Sequence, residues 1–466
     1  MIRHNFAFCL CTGLLFVSGT LLTGCQGLRS ASQPPPPANP TLDNSINHII
    51  FMVQENRSFD HYFGHLNDYR VAHGLKADVD GPPANASNPS FDGSSQVKPF
   101  HMMSMCVENP SPSWNESHVD FNLNDPTSNQ ATLDGFVHSG AHDAQVLAYH
   151  DVQGIRVMGY YTDADLPYYY FMATNFATSD RWFSPALTRT QPNRMYLLAA
   201  TSAGHVYSPA LGTPRLTNKT IFQSLEEAGV SWKIYVTDEP GNPPSALAGS
   251  HINMFEFGPQ HSDKIFPVSQ YLADLNNGTL PQVALIEGGY FSGRDEHPAE
   301  DPNAPGGSVQ VGAQYVSGII NALMDSSSWK DSVFIWTMDE GGGFYDHVPP
   351  QPAVSPDGIP PSDLQPDDIC AGGGTGVCDF NFTGYRVPMF LVSPFAKKGF
   401  VSHKVADYTA ILKFIETRFH LRSLTSRDAA QPDMTEFFNF TNPPWQVPPA
   451  PPVQPTNGPC YLDHLP

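Results

Sequence analysis

Two pairs of oxygen-bearing side chains stand just after apolar runs of the sequence. In "IIFMVQEN" the pair is Glu55 and Asn56, and in "VFIWTMDE" it is Asp339 and Glu340. If both runs are strands that point the same way, all four residues lie at one edge of a sheet, where ligands of parallel sheets gather. Their oxygens suit a divalent cation, and carboxylates clustered without one repel each other. The alternative is that each pair only caps a turn.

A threonine at a predicted helix start is a candidate nucleophile. In "LTRTQPNRMYLLAATSAGH", Pro192 fits the first turn of a helix that stops near Gly204, which puts Thr190 just before the helix N-terminus. The dipole and free N–H groups there favour an anionic oxygen or a phosphoryl group. A threonine hydroxyl needs a base or a metal to become a nucleophile. Alternatively, Thr190 or Thr188 is only a helix cap.

Histidine would complete such a site. His118, His297 and His347 lie in polar, loop-like segments rather than on apolar helix faces. A positioned histidine can protonate a leaving alkoxide or hold a phosphoryl oxygen. The chain has 18 histidines, so most of them must be structural or solvated. The glycine-rich "EGGGF" lacks the Lys and Ser/Thr of a phosphate loop, and neither G-x-S-x-G nor H-E-x-x-H occurs in the sequence.

The elements that must position these residues alternate along the chain. Buried strands are predicted at 48–53, 231–236, 282–286, 332–338 and 387–392. Helices are predicted at 192–203, 218–228, 310–325 and 405–419. Alternation of this kind predicts an α/β fold with a largely parallel sheet.

Charge narrows the classes of function. The 466 residues include 24 Lys+Arg against 45 Asp+Glu, with a formal net charge of -21. Such an acidic chain is unsuited to sequence-independent binding of nucleic acid, which depends on many Lys and Arg contacts with phosphates. A phosphate-containing substrate would need a local cation, and a metal could supply it.

The N-terminus has the features of a bacterial export signal. Arg3 precedes an apolar stretch at 7–22, and "LTGC", which ends in Cys25, resembles the lipobox in which the cysteine is lipidated and becomes the first mature residue. An ordinary cleaved signal with an incidental Cys25 is the alternative, and a transmembrane anchor is disfavoured because the apolar run is short and interrupted. The expected location is the bacterial cell envelope, lipid-anchored at the outer membrane or cell surface, or outside the cell as a secreted protein.

Four cysteines remain beyond the signal region, an even number in an exported protein. Two disulfides are predicted, with Cys370 bridging to Cys378 across a short loop and Cys106 left to pair with Cys460. A cysteine-based metal site is disfavoured because no C-x-x-C spacing occurs.

One catalytic domain is predicted, with extensions at both ends. Residues 1–24 are assigned to the signal peptide, 25–44 to the lipidated cysteine and a Pro-rich tether, 45–440 to the folded domain, and 441–466 to a Pro-rich tail. No internal repeat and no later linker forces another boundary.

Five separated blocks resemble the bacterial phosphoesterase family of phosphatidylcholine-type phospholipases C and related acid phosphatases. In chain order they are "HIIFMVQENRSFDHYFG", "LTRTQPNRMY", "RDEHP", "MDEGGGFYDHVPP" and "RVPMFLVSPFAKKGFVSHKVADYTAILKFIE", and together they span about residues 45–420. The resemblance implies an alkaline-phosphatase-like α/β fold, in which a central, mostly parallel sheet is sandwiched by helices.

The resemblance also assigns roles to the acidic pairs and the threonine. Glu55, Asn56, Asp339 and Glu340 match the metal-binding residues of the family, and Thr190 matches the nucleophile, which is also placed as a metal ligand. The implied cofactor is a divalent metal ion whose identity an all-oxygen ligand set does not fix.

The histidines are matched less evenly. His297 matches the histidine of the family's His-Pro block. His118 resembles a site histidine that follows a tryptophan, although an earlier histidine common in the phospholipases is missing here. His347 belongs to the fourth block, but the resemblance does not place it at the metal.

The implied function is that of an exported, metal-dependent phosphoric-ester hydrolase of the phospholipase C type. It would cleave phosphodiesters through a covalent phosphothreonine on Thr190, with His118 or His297 stabilising phosphoryl charge or protonating the leaving group. The implied substrate is a phospholipid or a small phosphate ester, with membrane contact through the lipid anchor and no nucleic acid partner.

Two alternatives stay open. An acid phosphatase acting on phosphomonoesters is the first, although Thr190 and Glu340 favour the phospholipases, since the acid phosphatases have Ser and Asp at these positions. The second is an inactive surface lipoprotein that only binds a ligand, against which the presence of the nucleophile and all four ligands argues.

Overall fold

The computed structural model describes residues 39–209 and 213–465. The predicted signal peptide, Cys25 and the first part of the tether lie outside these residues. Within the two described ranges, no helix combines the length and the apolar character needed to cross a membrane.

A sheet of eight strands forms the centre of the fold. The strands are β1 (His48–Gln54), β2 (Ala177–Ser179), β3 (Trp232–Val236), β4 (Ile265–Pro267), β5 (Val283–Glu287), β6 (Ser332–Met338), β7 (Met389–Val392) and β8 (Phe400–Ser402). Their spatial order is β8-β2-β7-β6-β1-β5-β3-β4. Strand β7 pairs antiparallel with both of its neighbours, and the other five pairings are parallel. The predicted α/β class with a mostly parallel sheet is confirmed.

The three central strands explain why the acidic pairs meet. Strands β1, β5 and β6 are buried along almost their whole length, as expected for parallel strands covered on both faces. Gln54 of β1 pairs in register with Met338 of β6, and Val53 pairs with Glu287 of β5. The predicted common edge is therefore confirmed, because all three strands end there side by side.

Helices flank the sheet. They are α1 (Pro40–Ser45), α2 (Phe59–Phe63), α3 (Leu66–Ala72), α4 (Trp114–Phe121), α5 (Phe136–Leu147), α6 (Pro167–Asn175), α7 (Thr190–Ala199), α8 (Ile221–Glu227), α9 (Phe257–Gln260), α10 (Val268–Asn277), α11 (Val309–Met324), α12 (Thr409–Phe419) and α13 (Ser426–Ala429). Short 3-10 turns lie at Ile155–Met158, Leu247–Gly249, His251–Met254, Ser262–Lys264, Trp329–Asp331, Gly376–Cys378 and Thr435–Phe437. Three two-stranded pieces complete the regular structure, pairing Asn88–Pro89 with Gln96–Val97, Phe100–His101 with Gly159–Tyr160, and Trp182–Phe183 with Ala406–Asp407.

One helix boundary differs from its prediction in a way that matters for the site. The helix predicted at 192–203 runs from Thr190 to Ala199 and ends because Ala200 takes a left-handed conformation with φ 57°. Thr190 is thus the first residue of the helix rather than the residue before it.

The two ends of the described chain are tied to the body. Helix α1 occupies the last residues of the predicted tether. In the Pro-rich tail, Gln454 is buried and its Nε2 donates to the Asp165 carbonyl at 2.9 Å. The two predicted disulfides, Cys106–Cys460 and Cys370–Cys378, are both formed, and the first fixes the tail to the domain.

Candidate active site

The loops after β1 and β6 hold the two acidic pairs against each other. The Asn56 backbone N–H donates to Asp339 Oδ1 at 3.1 Å, and all four side chains are buried. Asn56 has φ 61°, a conformation that is uncommon outside glycine. Gly342 (φ 67°) crosses it so closely that a Cβ there would lie 2.3 Å from the Asn56 carbonyl oxygen. The close crossing fixes the two loops relative to each other.

Thr190 points at this acidic group. Its Oγ1 donates to Glu55 Oε2 at 3.1 Å and lies 3.5 Å from Glu340 Oε1. Arg189 is the N-cap of α7, and no side chain caps the helix. The hydroxyl of Thr188 instead donates to the Val206 carbonyl at 2.5 Å. The structure therefore rejects the helix-cap alternative for both threonines.

Arg194 neutralises part of the charge. It lies one helical turn after Thr190, and its Nη2 pairs with Glu55 Oε1 at 2.5 Å while its Nε lies 3.4 Å from Asp339 Oδ2. Burial raises the pKa of Glu55, although the positive charge of Arg194 acts in the opposite direction. Burial and the charge of Glu55 raise the pKa of Asp339 to about 8. Burial, with Asp339 and Glu55 beside it, raises the pKa of Glu340 well above its usual range.

The donor set fits a divalent cation. Asn56 Oδ1 and Glu340 Oε2 are buried and have no hydrogen-bond partner among the described residues. The three carboxyl groups lie close together and keep raised pKa values despite the charges of Arg194 and Arg189, so a further positive charge would be stabilised there. Oxygen donors from carboxylates, an amide and a hydroxyl are the ligands that hard cations prefer.

His297 and Asp295 extend the site from the "RDEHP" segment. His297 Nε2 lies 3.1 Å from Asn56 Nδ2, and its Nδ1 lies 2.7 Å from the Pro298 carbonyl. The Asp295 carbonyl accepts a hydrogen bond from the Glu55 N–H at 3.0 Å. The Asp295 carboxylate accepts one from the His297 N–H at 3.1 Å. The structure thus brings His297 to the acidic group.

His118 is not at this site. It is fully buried in α4, with Nδ1 2.6 Å from the Trp114 carbonyl and Nε2 2.9 Å from the Val377 carbonyl. Burial lowers its pKa. Both ring nitrogens are engaged by backbone and neither reaches the cleft, so the geometry argues against the catalytic role expected for His118.

His347 belongs to a second, separate acidic cluster. Ligand atoms of Asp60, Asp346 and His347 all lie within 4.8 Å of one another. Arg386 already supplies a cation there, because its Nη2 pairs with Asp60 Oδ1 at 2.9 Å and its Nε with Asp346 Oδ1 at 2.8 Å. His347 Nδ1 contacts Asp60 Oδ2 at 2.7 Å. We interpret this cluster as a buried ion-pair network that supports α2.

The network predicts a large loss of stability on removal of its arginine. Arg386→Met leaves Asp60 and Asp346 buried without their cation, and we expect the free energy of unfolding to fall by about 3–5 kcal/mol in urea denaturation. Arg181→Met is the matched control, because the Arg181–Asp80 pair is partly exposed at 28% and 39% and should cost under about 1 kcal/mol. Equal losses in the two variants would contradict this interpretation.

Glu296 forms a buried hydrogen-bonded centre behind His297. Its carboxylate accepts from the hydroxyls of Tyr62 and Tyr169 and from Gln54 Nε2 at 3.2 Å. Burial raises its pKa from the ordinary 4.5 to about 7, although these donors act in the opposite direction.

The raised pKa of Glu296 makes stability depend on pH. This shift stabilises the folded state by about 3 kcal/mol at low pH. The stabilisation is fully present below about pH 4.5 and is lost as the pH rises through about 7. Glu296→Gln should abolish this loss, so between pH 4.5 and 8 the free energy of unfolding of the variant, measured by chemical denaturation, should rise relative to that of the wild type. In Glu227→Gln, which changes a 54% exposed side chain, the free energy of unfolding should depend on pH over this range as it does in the wild type. Parallel curves for both variants would show that Glu296 does not titrate this way.

Three residues of the site, Arg194, Asp295 and Arg189, were not predicted from the sequence. Arg194 could have been found from its spacing, because residues four apart share one face of a helix that begins at Thr190. Asp295 stands two residues before His297 in the quoted block. Arg189 carried no signal of its own, and its guanidinium is placed by a hydrogen bond to Ser113 Oγ and by the Tyr207 ring, 5.7 Å away.

An open cleft of about 970 Å³ gives access to the site. Its wall includes Glu55, Thr190 and Glu340 together with His297 and Arg189. Tyr290 and Phe291, which are 48% and 74% exposed, also contribute to the wall. The cleft is large enough for a substrate much bigger than phosphate itself.

Comparison with known proteins shows the family of the chain. The model of the phosphoesterase family matches residues 46–422. Phospholipase C B of Mycobacterium tuberculosis (strain CDC 1551 / Oshkosh) is 32% identical over 443 residues, covering 86% of this chain and 78% of that protein. Non-specific phospholipase C1 of Arabidopsis thaliana is 31% identical over 431 residues, covering 87% and 73%.

A structural comparison gives a weaker match. A protein in the alkaline phosphatase superfamily from Vibrio parahaemolyticus aligns with 79% of this chain and 78% of its own, at 13% identity and a TM-score of 0.36. By its match to the family model and to the two phospholipases, the chain belongs to the phosphoesterase family and is a hydrolase that acts on phosphoester bonds.

Proposed function

We propose that the protein is a metal-dependent phosphodiesterase of the phospholipase C type that works through a phosphothreonine at Thr190. The observation that carries the proposal is the Thr190 hydroxyl, which stands at a helix N-terminus on the cleft wall and donates to Glu55 at 3.1 Å. A carboxylate at this distance can take the hydroxyl proton as the oxygen attacks phosphorus.

The residues around Thr190 divide the remaining tasks. Arg189 and the N-terminus of α7 line the cleft, where the guanidinium and the free N–H groups would stabilise the negative charge that builds up on the phosphoryl oxygens. Glu55, Asn56, Asp339, Glu340 and Thr190 would hold a divalent metal ion, which when bound favours the ionised hydroxyl and offsets phosphoryl charge. His297 orients Asn56 through their 3.1 Å contact. Water then cleaves the phosphothreonine and releases the phosphorylated product.

The diester preference rests on the relatives and on the cleft. Both compared relatives are named phospholipases C, and the roughly 970 Å³ cleft can hold two substituents on phosphorus. An acid phosphatase acting on monoesters is the alternative, and the sequence differences at Thr190 and Glu340 favour the diesterase.

We place the protein in the bacterial envelope or outside the cell. The lipobox-like "LTGC" and the two disulfides support export, because disulfides persist in oxidising compartments. Membrane contact through a lipidated Cys25 follows from the same signal.

The substrate class is tested by direct comparison. Purified protein is assayed on p-nitrophenylphosphorylcholine, phosphatidylcholine and p-nitrophenyl phosphate, and we expect kcat/KM to be higher for the two diesters. Faster turnover of the monoester would instead establish the acid phosphatase, and turnover of none of the three with metal supplied would refute both enzymatic proposals.

A further inference from the structure

A histidine that neither the sequence motifs nor the family resemblance singles out stands on the cleft wall, held by a buried carboxylate. His251 Nδ1 and the His251 backbone N–H both lie 3.0 Å from Glu287 Oε1. The Glu287 side chain is 3% exposed, whereas that of His251 is 24% exposed and lines the cleft. Glu287 is the last residue of β5, so the carboxylate comes from the same sheet edge as Glu55.

The contacts fix which ring nitrogen is available. Since Nδ1 carries the hydrogen donated to Glu287, Nε2 is the nitrogen that can exchange a proton with a ligand. Nε2 has no hydrogen-bond partner among the residues that the structure describes. In His297, by contrast, both ring nitrogens are engaged, by Asn56 and by the Pro298 carbonyl. The turn that carries His251 packs directly against α7, the helix that begins at Thr190.

We infer that His251, positioned by Glu287, is the group that protonates the leaving oxygen of the phosphoester; the inference rests on the proposed function. In the first step the Thr190 Oγ–P bond forms while the Oγ proton passes to Glu55, the bond from phosphorus to the leaving oxygen breaks, and the His251 Nε2 proton moves to that oxygen. In the second step neutral His251 takes a proton from water while the water oxygen bonds to phosphorus, the Thr190 Oγ–P bond breaks, and Oγ regains its proton from Glu55. Each cycle therefore restores the protonated ring.

A competing pair also reaches the cleft. His205 Nδ1 lies 3.0 Å from Asp363 Oδ2, but both side chains come from loops and are 21% and 26% exposed. Asp363 is also shared with the Val206 N–H. Glu287, held at a strand end and buried, fixes its histidine more firmly, and this difference favours His251.

The test uses leaving groups that differ in their need for a proton. A p-nitrophenolate leaves readily as an anion, whereas an alkoxide needs a proton to leave. In His251→Gln, kcat/KM for p-nitrophenylphosphorylcholine should therefore fall less than about 3-fold. For a short-chain phosphatidylcholine, kcat/KM should fall at least about 100-fold in the same variant. Glu287→Gln should show the same selective loss, reduced in size, since its role is positioning. Because kcat/KM covers only the steps up to departure of the leaving group, the later water step does not obscure the contrast.

A matched control is available elsewhere in the chain. His150 makes the same pair of contacts with one buried oxygen, its N–H and Nδ1 lying 2.7 Å and 2.8 Å from Glu108 Oε1, but it does not line the cleft. His150→Gln should leave kcat/KM unchanged on both substrates. Equal losses on both substrates in His251→Gln, no loss on either, or a selective loss in His205→Gln instead would overturn the inference.

Failure of the proposed function would look different. If the wild type prefers monoesters, the same contrast is measured between p-nitrophenyl phosphate and glycerol phosphate, and His251 is judged there by the same criteria. Loss of turnover on both leaving groups is the result expected for replacement of Thr190, not for replacement of His251.

Discussion

Thr190→Ala is expected to lower kcat/KM at least about 10³-fold on every phosphoester that the protein hydrolyses. The variant keeps the four side chains proposed to bind the metal and keeps the cleft, but it has no oxygen to bond to phosphorus. Because Thr190 is only partly buried and caps nothing through its side chain, the free energy of unfolding should change by less than about 1 kcal/mol.

Two further variants separate the nucleophile from its surroundings. Thr190→Ser restores a hydroxyl at the same position and should retain measurable turnover and a trappable phosphoenzyme. Thr188→Ala removes a buried hydroxyl two residues away that bonds to Val206, so it should cost stability and leave the chemistry intact. Wild-type rates in Thr190→Ala would exclude the phosphothreonine route.

Removal of divalent metal is expected to abolish turnover, and one divalent ion should restore it. Glu55, Asp339 and Glu340 hold raised pKa values because they are buried together, so a cation that binds there must displace protons. Metal affinity should therefore rise with pH through about 8, the pKa of Asp339, and binding should release protons that calorimetry in two buffers detects.

The location of the metal can be tested independently of activity. Asp339→Asn should lower the metal content of the purified protein and weaken calorimetric binding by at least about 10-fold. His347→Gln, in the Asp60 and Asp346 cluster, should keep full metal content because Arg386 provides the cation there. If His347→Gln lost its metal and Asp339→Asn kept it, the ion would bind at the cluster of Asp60, Asp346 and His347 instead.

Much of the site follows from local sequence patterns. A long apolar run that ends in acidic residues specifies a buried strand and the position of its carboxyl end, which is why Glu55 and Asp339 could be placed at one edge before any contact was known. The signal that places Thr190 is equally local, since a proline in the first turn marks where a helix begins. The two cysteine pairs followed from their even number and spacing.

Glu287 carries the same local signal as Glu55, at the end of "VALIE", and the sequence alone could have identified it. Its partner His251 could not be identified in this way, because it lies 36 residues away in an irregular turn whose path depends on packing against α7.

The histidines show what only the tertiary structure decided. The sequence places His118 in a polar, loop-like segment, yet it lies inside a helix and its Nε2 contacts the carbonyl of Val377, 259 residues further along the chain, inside the protein. His347 likewise lies in a buried ion-pair network, in which it and Arg386 both contact Asp60. Sequence thus determined the α/β fold, the acidic edge and the position of Thr190 at a helix start, because strand and helix patterns are local. Which histidine faces the cleft was decided by contacts between distant segments, since a polar residue can be satisfied equally well by water or by a buried carbonyl group.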